Sequence, residues 1–170
     1  MITNFKFFSI IITVKPMKRV DDMDEIDIQI LKQLVDNARV TASEISSSIS
    51  LSVPAVNNRI KKLIESGVIE KFTIIINPEK IGKSLTALIF VNIELPMYIN
   101  GVLDFIKNEK SILECFATAG DNDYCLKIMV NSILDLENLI LRIKKVKGVI
   151  KTKTVITLYT HKSEKTIIPD

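Results

Sequence analysis

Two short stretches of this sequence hold residue types that could do chemistry. The first is "GDNDY", Gly120 to Tyr124, where Asp121 and Asp123 flank Asn122 between two apolar, β-branched runs. The second is "LSVPAVNNRIKK", Leu51 to Lys62, which carries Arg59, Lys61 and Lys62 and no acid. A carboxylate pair can act as general acid and base, ligate a metal, accept hydrogen bonds from an ammonium, or only close a turn. Amides and cations along one helix can read base edges and neutralise phosphates, or only face water.

The rest of the chain sets the frame. At 170 residues and 47% hydrophobic it can bury a real core, as one large domain or two small ones. The longest mainly apolar run, Phe7 to Val14, falls short of the roughly 20 residues that span a bilayer. As a signal-peptide core it is preceded only by Lys6 and followed by "TVKPMKRVDD", which lacks small residues at a cleavage position. No membrane or secretory role is expected, and a reducing cytoplasm suits the two cysteines, Cys115 and Cys125. A hairpin turning at Asp121 to Asp123 would put Thr118 or Ala119 across from Cys125. Cys115 then lies three or four residues further along the strand, so no bridge is expected. The net charge of +3 is mild, and only its local distribution points anywhere.

Elements follow from periodicity and caps. "MDEIDIQILKQLVDNA" predicts a helix from Glu25 to about Asp36 with Ile26, Ile30, Leu31, Leu34 and Val35 on one face. Thr41 and Glu44 form a capping box that starts a second helix at Ala42, burying Ile45 and Ile49. Ser52 caps a third helix with Pro54 in its first turn, a buried stripe of Val53, Val56, Ile60, Leu63 and Ile64, and Gly67 as its stop. A strand is expected over Lys71–Pro78, then a linker to Gly82.

The remainder spells strand (Leu85–Leu95), helix (Asn100–Glu109), strand (Ile112–Gly120), strand (Tyr124–Val130), helix (Ile133–Val146, capped by Ser132) and strand (Val149–Tyr159). That β-α-β-β-α-β order is the ferredoxin-like arrangement. The fold class is therefore α+β: an N-terminal helix-turn-helix domain, winged-helix-like, followed by a C-terminal ferredoxin-like domain. The expected boundaries are an extension at 1–22, a DNA-binding domain at 23–70, a hinge strand and linker at 71–82, a second domain at 83–161 and a tail at 162–170.

On a helical wheel with Val56 at zero, the third helix turns Pro54, Asn58, Lys61 and Lys62 away from its apolar stripe, with Ala55 and Asn57 beside them. Its N-terminus would enter the major groove, which makes Ser52, Pro54, Ala55 and Asn58 base-side candidates, with Asn57 next to them. Arg59, Lys61 and Lys62 are phosphate-side candidates. An ordinary solvated lysine face is the bland alternative.

The motifs "MDEIDIQILKQLVDNARVTASEIS", "LSVPAVNNRIKKLIESGVIEKF", "INPEKIG", "GDNDY" and "GVIKTKT", in this order and around the β-α-β-β-α-β pattern, resemble the Lrp/AsnC (leucine-responsive, feast/famine) family of prokaryotic transcription regulators. The resemblance covers residues 23 to 161. It implies a helix-turn-helix hinged to an effector domain that dimerises through its sheet and commonly assembles further, into tetramers, octamers or larger discs. Two departures stand out. Ser50 occupies a turn position that is commonly glycine in the family, and residues 1–22 precede the usual start, equivalent to Met23.

The acidic loop has three readings. Catalysis by Asp121 and Asp123 would need a cleft, a nucleophile or an oxyanion hole, none of which the sequence supplies, and a metal would want more ligands than two carboxylates and an amide. The only histidine, His161, lies at the far end of the last strand. No enzyme, cofactor or metal site is expected. Gly-Asp-Asn-Asp is ideal turn chemistry, which alone explains the loop. The resemblance adds an amino-acid pocket between effector domains. On that reading Asp121 and Asp123 meet the ammonium, turn amides near Gly120 and Asn122 meet the carboxylate, Tyr124 walls the side chain, and Thr152 and Thr154 are second-rank contacts.

The lysine-rich segment from Arg142 to Lys153 reads as a solvated helix end, with a secondary surface for wrapped DNA as its alternative. "FKFFSIIITV" is strand-prone; it is read either as the product of an upstream start site, translation beginning at Met17 or Met23, or as a strand added to a neighbouring subunit. The functional expectation is a cytoplasmic regulator, a homodimer or higher oligomer on double-stranded, pseudo-palindromic promoter sites, responding to a small effector. The alternative is an amino-acid-sensing protein that acts through protein contacts with a degenerate helix-turn-helix. A detached regulatory domain of a biosynthetic enzyme is a third possibility.

Overall fold

The computed structural model describes residues 23–167; the strand-prone "FKFFSIIITV" and the last three residues lie outside them. The chain divides into two compact units at Ile74/Ile75, the second running to Ser163.

The first unit is three helices, α1 (Glu25–Asp36), α2 (Ala42–Ile49) and α3 (Val53–Glu65). Each starts where a side chain can satisfy the orphan N–H groups of a first turn. The Asp24 carboxylate accepts from Asp27 N at 2.9 Å, and the Asp27 carboxylate accepts from Asp24 N at 3.3 Å. Thr41 and Glu44 form the expected reciprocal box at the start of α2, and Ser52 caps α3 with Pro54 in the first turn. Ile30, Leu31, Leu34, Ile45, Val56 and Leu63 make the core. The apolar stripes are narrower than the sequence implied. Val35, Val53 and Ile64 stand exposed, because on their helical wheels they fall at one flank of the stripe rather than at its centre.

α2 ends on Ser50 in the left-handed conformation, φ 55° and ψ 39°, the turn position at which the resemblance implies that glycine is common. The turn is held by the Ser46 hydroxyl donating to Leu51 O at 2.8 Å. After α3, Gly67 takes φ 79° and terminates the helix. The strand expected over Lys71–Pro78 does not form: the segment pairs with no strand among the described residues, and Ile74 and Ile75 are 79% and 73% exposed. A strand is defined by a neighbour, and these strand-forming residues have no partner among the described residues.

The second unit holds β1 (Leu85–Ile93), α4 (Ile99–Asn108), β2 (Ile112–Ala117), β3 (Tyr124–Val130), α5 (Ile133–Lys144) and β4 (Val149–Ile156). All neighbours in the sheet are antiparallel, in the order β2-β3-β1-β4, which is the ferredoxin-like topology read from the sequence. Along β1, Ala87, Ile89 and Val91 point to the helices; they pack with Leu126 and Ile128 of β3, Val102 and Ile106 of α4, and Leu136, Leu139 and Ile143 of α5. Both helices cover that one face. Three strands end earlier than their apolar runs suggested: β1 at Ile93, β2 at Ala117 and β4 at Ile156.

Gly148 carries the tightest backbone approach. It sits at φ 93°, and a Cβ there would lie 2.3 Å from Cβ of Tyr98. Among the described residues no helix is long and apolar enough to cross a membrane.

The cysteine geometry differs from the sequence reading, although both thiols are free as expected. Ala117 pairs with Tyr124, so the loop spans 118–123 and Cys115 faces Leu126 while Phe116 faces Cys125. Cys115 therefore points to the core and Cys125 to the opposite face. Facing opposite sides of the sheet, not separation along it, keeps them apart.

Candidate DNA interface and effector loop

The exposed face of α3 follows from its amphipathic wheel. Pro54, Asn57, Asn58, Lys61 and Lys62 are exposed and Ala55 is half-buried beside them. Ser52 is exposed, and its hydroxyl accepts from Ala55 N at 3.4 Å as the cap. Lys61 has one loose partner, Glu65 at 3.7 Å one turn on, a pair whose two side chains are both mostly exposed. Lys62 has no acidic partner among the described residues. Two exposed lysines and two exposed asparagines along one side of a capped helix match the donors that read a DNA groove and its phosphates.

Arg59 does not belong to that set. It lies on the flank of α3 that faces α1, where one guanidinium nitrogen, Nη1, sits 2.8 Å from Asp27 Oδ1 and 2.8 Å from Asp24 Oδ2. The hydrogen bonds that it donates to Asp27 and then to Asp24 raise its already high pKa further, and Asp24 is lowered, first by the Asp27 backbone N–H and then by Arg59. Assigning Arg59 to phosphate overlooked that the α1 cap places two carboxylates within its reach. Its charge is neutralised inside the domain.

The acidic loop closes a hairpin and is stapled to the end of β1. Thr118 N donates to Asp123 O at 2.9 Å, and the Thr118 hydroxyl donates to Asn122 O. Asp123 N donates to Val91 O at 3.0 Å, while its carboxylate accepts from Ile93 N at 2.7 Å. Asn92 Nδ2 donates to Asp121 O at 2.7 Å, and its Oδ1 is buried without a partner. Asp121 keeps a free, exposed carboxylate, and the N–H groups of Gly120, Asp121 and Asn122 have no hydrogen-bond acceptor among the described residues. Free amides and a free carboxylate in one loop offer the two kinds of group that an α-amino acid needs.

The structure brings only part of the expected set together. Tyr124 opens β3 half-buried, its hydroxyl pKa raised first by burial and then by the neighbouring Cys115 and Asp123. Val91 pairs with both Tyr124 and Thr152, so these two lie in one row with Val91 between them, on the helix-covered face. Thr154 sits one row on, level with Ile89 and Leu126. Asn92 and Thr118, which hold the loop, escaped the sequence reading. An asparagine inside the strand run "LIFVNIEL" was the available signal, since asparagine is depleted in strands.

The basic run from Arg142 to Lys153 does not form one patch. Arg142 is bound to Glu109 at 2.7 Å, Lys147 lies 5.3 Å from the Tyr98 ring centre, and Lys151 and Lys153 project from the opposite face of the sheet.

The family models settle what this pairing of a reading helix with a ferredoxin-like domain is. Residues 23–70 match a winged helix-turn-helix DNA-binding model, and residues 86–167 match the Lrp/AsnC ligand binding domain. The chain belongs to the Lrp/AsnC family of transcription regulators. It is similar to the HTH-type transcriptional regulator FL11 of Pyrococcus abyssi, 39% identical over 147 residues that cover 86% of this chain and 96% of that one. Its fold is similar to a Neisseria meningitidis transcriptional regulator solved with L-methionine, at TM-score 0.82 and 25% identity over 85% of this chain and 96% of that one. It also resembles a feast or famine regulatory protein from M. tuberculosis complexed with L-methionine, at TM-score 0.79 and 31% identity, covering 86% and 99%. The chain is a DNA-binding transcription regulator and not an enzyme.

Proposed function

We propose that this cytoplasmic regulator binds pseudo-palindromic promoter DNA as a homodimer or a higher, tetrameric or octameric, assembly, and that an amino acid bound at the Gly120–Tyr124 loop changes that binding. In this reading residues 23–70 form the DNA-binding domain, 71–82 the hinge, 83–161 the effector domain and 162–170 a tail. The observation that carries the DNA assignment is the exposed face of α3, where Asn57, Asn58, Lys61 and Lys62 stand clear of the three-helix core. The N-terminal turn, with Ser52, Pro54 and Ala55, enters the major groove, and Asn57 and Asn58 address base edges. Lys61 and Lys62 contact phosphate.

Dimerisation is supported by two apolar surfaces that the described residues leave uncovered: Phe72 to Ile76, and the face of the sheet opposite its helices. Two copies related by a two-fold axis present two reading helices to two half-sites. For the effector, Asp121 offers its carboxylate to the ammonium, the loop amides near Gly120 and Asn122 receive the carboxylate, and Tyr124 lines the side chain. Asp123 holds the loop in place, and Thr152 and Thr154 are outer contacts.

The test joins the two halves. Gel shifts on the chain's own promoter region should weaken steeply with salt and weaken further in a Lys61→Ala, Lys62→Ala variant. L-Methionine is the first probe in a thermal-shift screen of the amino acids, where a ligand at 100 times its Kd adds roughly 2.7 kcal/mol. Salt-insensitive binding sinks the first half, and no stabilisation by any amino acid sinks the second.

A further inference from the structure

The geometry points to a further small-molecule site in the second unit, a polar cleft between Lys83 and α5 that takes a small zwitterion, its carboxylate on Lys83 and Arg142 and its ammonium on Asp135. The cleft is separate from the acidic loop. Val130, which lines it, closes β3 opposite Leu85, the first residue of β1, whereas Tyr124 and the loop stand at the other end of β3, the length of that strand or about 20 Å away.

The walls come from segments that are tied to one another. Lys83 N donates to Pro78 O at 2.8 Å, and the Ser84 hydroxyl donates to Asn131 O at 3.3 Å, which fixes the start of β1 to the end of β3. Met129 N donates to Ser111 O at 2.9 Å, and Ser111 N donates to Glu109 Oε1 at 3.2 Å. On α5, Asp135, Asn138 and Arg142 are spaced i, i+3, i+7 and share one face, and the Ser132 hydroxyl caps the helix by accepting from Asp135 N at 3.1 Å. These three residues, with Lys83, Ser111 and Asn131, line a half-open cleft of about 200 Å³.

Charge decides the ligand. Lys83 and Asp135 are both half-buried at the cleft, yet they form no ion pair with each other or with any other described residue. Arg142 is neutralised by Glu109, but through Nε and Nη2 only, at 3.2 and 2.7 Å from the single oxygen Oε2. Its Nη1 makes no bond among the described residues and serves as a donor whose direction the bridge fixes. One uncompensated cation and one uncompensated acid therefore line the same small space. A simple anion meets Asp135 as a like charge and a simple cation meets Lys83 as one, whereas a zwitterion is complementary to both. Its carboxylate accepts from Lys83 and from Arg142 Nη1, and its ammonium donates to Asp135. The rest of the ligand is polar, because Val130 is the apolar residue of the lining and the side-chain amides of Asn131 and Asn138 bond to no described residue. The volume lies below the roughly 300 to 1,000 Å³ of pockets for drug-sized ligands, so the occupant is a free polar α-amino acid and not a nucleotide. Methionine, with its apolar side chain, finds no wall here.

The experiment is calorimetric titration of the full chain with L-glutamine and with glutaramate, which is glutamine without its ammonium. L-Glutamine should bind, and glutaramate should bind about tenfold or more weakly. Lys83→Met should weaken both ligands by about tenfold and leave their ratio unchanged. Asp135→Asn should weaken L-glutamine and bring the two ligands to within about twofold of each other, a change of selectivity that a purely structural role does not produce. The Lys83 and Asp135 side chains make no ion pair, and Asp135→Asn keeps the backbone N–H that Ser132 caps, so both variants retain the fold. Asp121→Ala, which alters the acidic loop, should bind L-glutamine as the natural chain does. The inference is overturned if L-glutamine does not bind, if Lys83→Met and Asp135→Asn leave its affinity unchanged, or if Asp121→Ala abolishes binding and so places glutamine at the loop. Failure of the loop reading shows instead as a missing response to L-methionine or to any amino acid that Asp121→Ala removes, a result separable from these.

Discussion

The carboxylate of Asp123 accepts the backbone N–H of Ile93 at 2.7 Å, bridging the acidic loop to the end of β1 across 30 residues of sequence. One of the two aspartates that look like a pair is therefore a brace, while Asp121 leaves its carboxylate free. The geometry separates two roles that the motif alone runs together.

Substitution should show the split. Asp123→Ala removes an acceptor from a half-buried strand end and should cost about 1 kcal/mol of stability through the unmet Ile93 N–H. Any loss of ligand response in that variant then mixes loop displacement with lost contact. Asp121→Ala should leave the melting temperature within the roughly 0.5 kcal/mol scatter of surface changes while abolishing stabilisation by L-methionine or whichever amino acid the screen selects. An Asp121→Ala chain that responds like the natural one returns the loop to a plain turn.

Arg59 should behave as a stability residue and not as a DNA contact. Arg59→Ala leaves Asp24 and Asp27 without their cation and should cost about 1 to 2 kcal/mol, since Asp27 is largely shielded. Among variants that remain folded, the slope of log affinity against log salt should be unchanged by Arg59→Ala and reduced by about 1 by Lys62→Ala. A slope reduced by the arginine change would mean that Arg59 leaves its bridge to reach phosphate.

Acid should destabilise both units, and the sign follows from three carboxyls. Glu44 is lowered below its ordinary value of 4.5 by the Thr41 backbone N–H and then the Thr41 hydroxyl, and Asp24 is lowered by the Asp27 N–H ahead of Arg59. Burial pushes Glu109 up, but Arg142 and the Ser111 N–H outweigh it and leave a net lowering. A carboxyl depressed in the fold contributes stability that is complete above its unfolded value and is lost as pH falls through its folded value. Denaturation midpoints should hold steady down to about pH 5 and drop steadily towards about pH 3. Glu109→Gln should flatten part of that drop, and a midpoint that rises on acidification contradicts the assignment.

Most of the architecture was legible because its signals are local. Thr41 with Glu44, Ser52 with Pro54, and Ser132 each announce a helix start within four residues, and strand alternation in "YCLKIMV" gives β3 residue for residue. What escaped needed distant partners. Arg59 looks like every other cation on α3 until α1 is folded against it. Asn92 is out of place in a strand by type, but its partner is known only once the loop returns to it. Lys71–Pro78 reads as a strand because its residues are strand formers, yet a sequence does not say whether a neighbour exists to pair with. The acidic loop was legible as a turn from composition, and as a ligand site only through the family resemblance.

Ser50 offers the last test, and it is a gain rather than a loss. The residue sits at φ 55°, ψ 39° between α2 and the turn into α3, and it is the only non-glycine residue with positive φ among those described. An L side chain in this region crowds the following carbonyl, at roughly 1 kcal/mol relative to glycine. Glycine also loses more freedom on folding, so Ser50→Gly should stabilise the helix-turn-helix by at most about 1 kcal/mol. The backbone N–H still donates to Ser46 O, and the Ser46 hydroxyl still holds Leu51 O, so the turn geometry survives the change. Thermal melts of the full chain should show an upward shift with DNA affinity unchanged. Ser50→Val, which adds a β-branched side chain at the same angle, should shift the melt downward, and a melt insensitive to both substitutions would mean that this turn does not keep its left-handed conformation in solution.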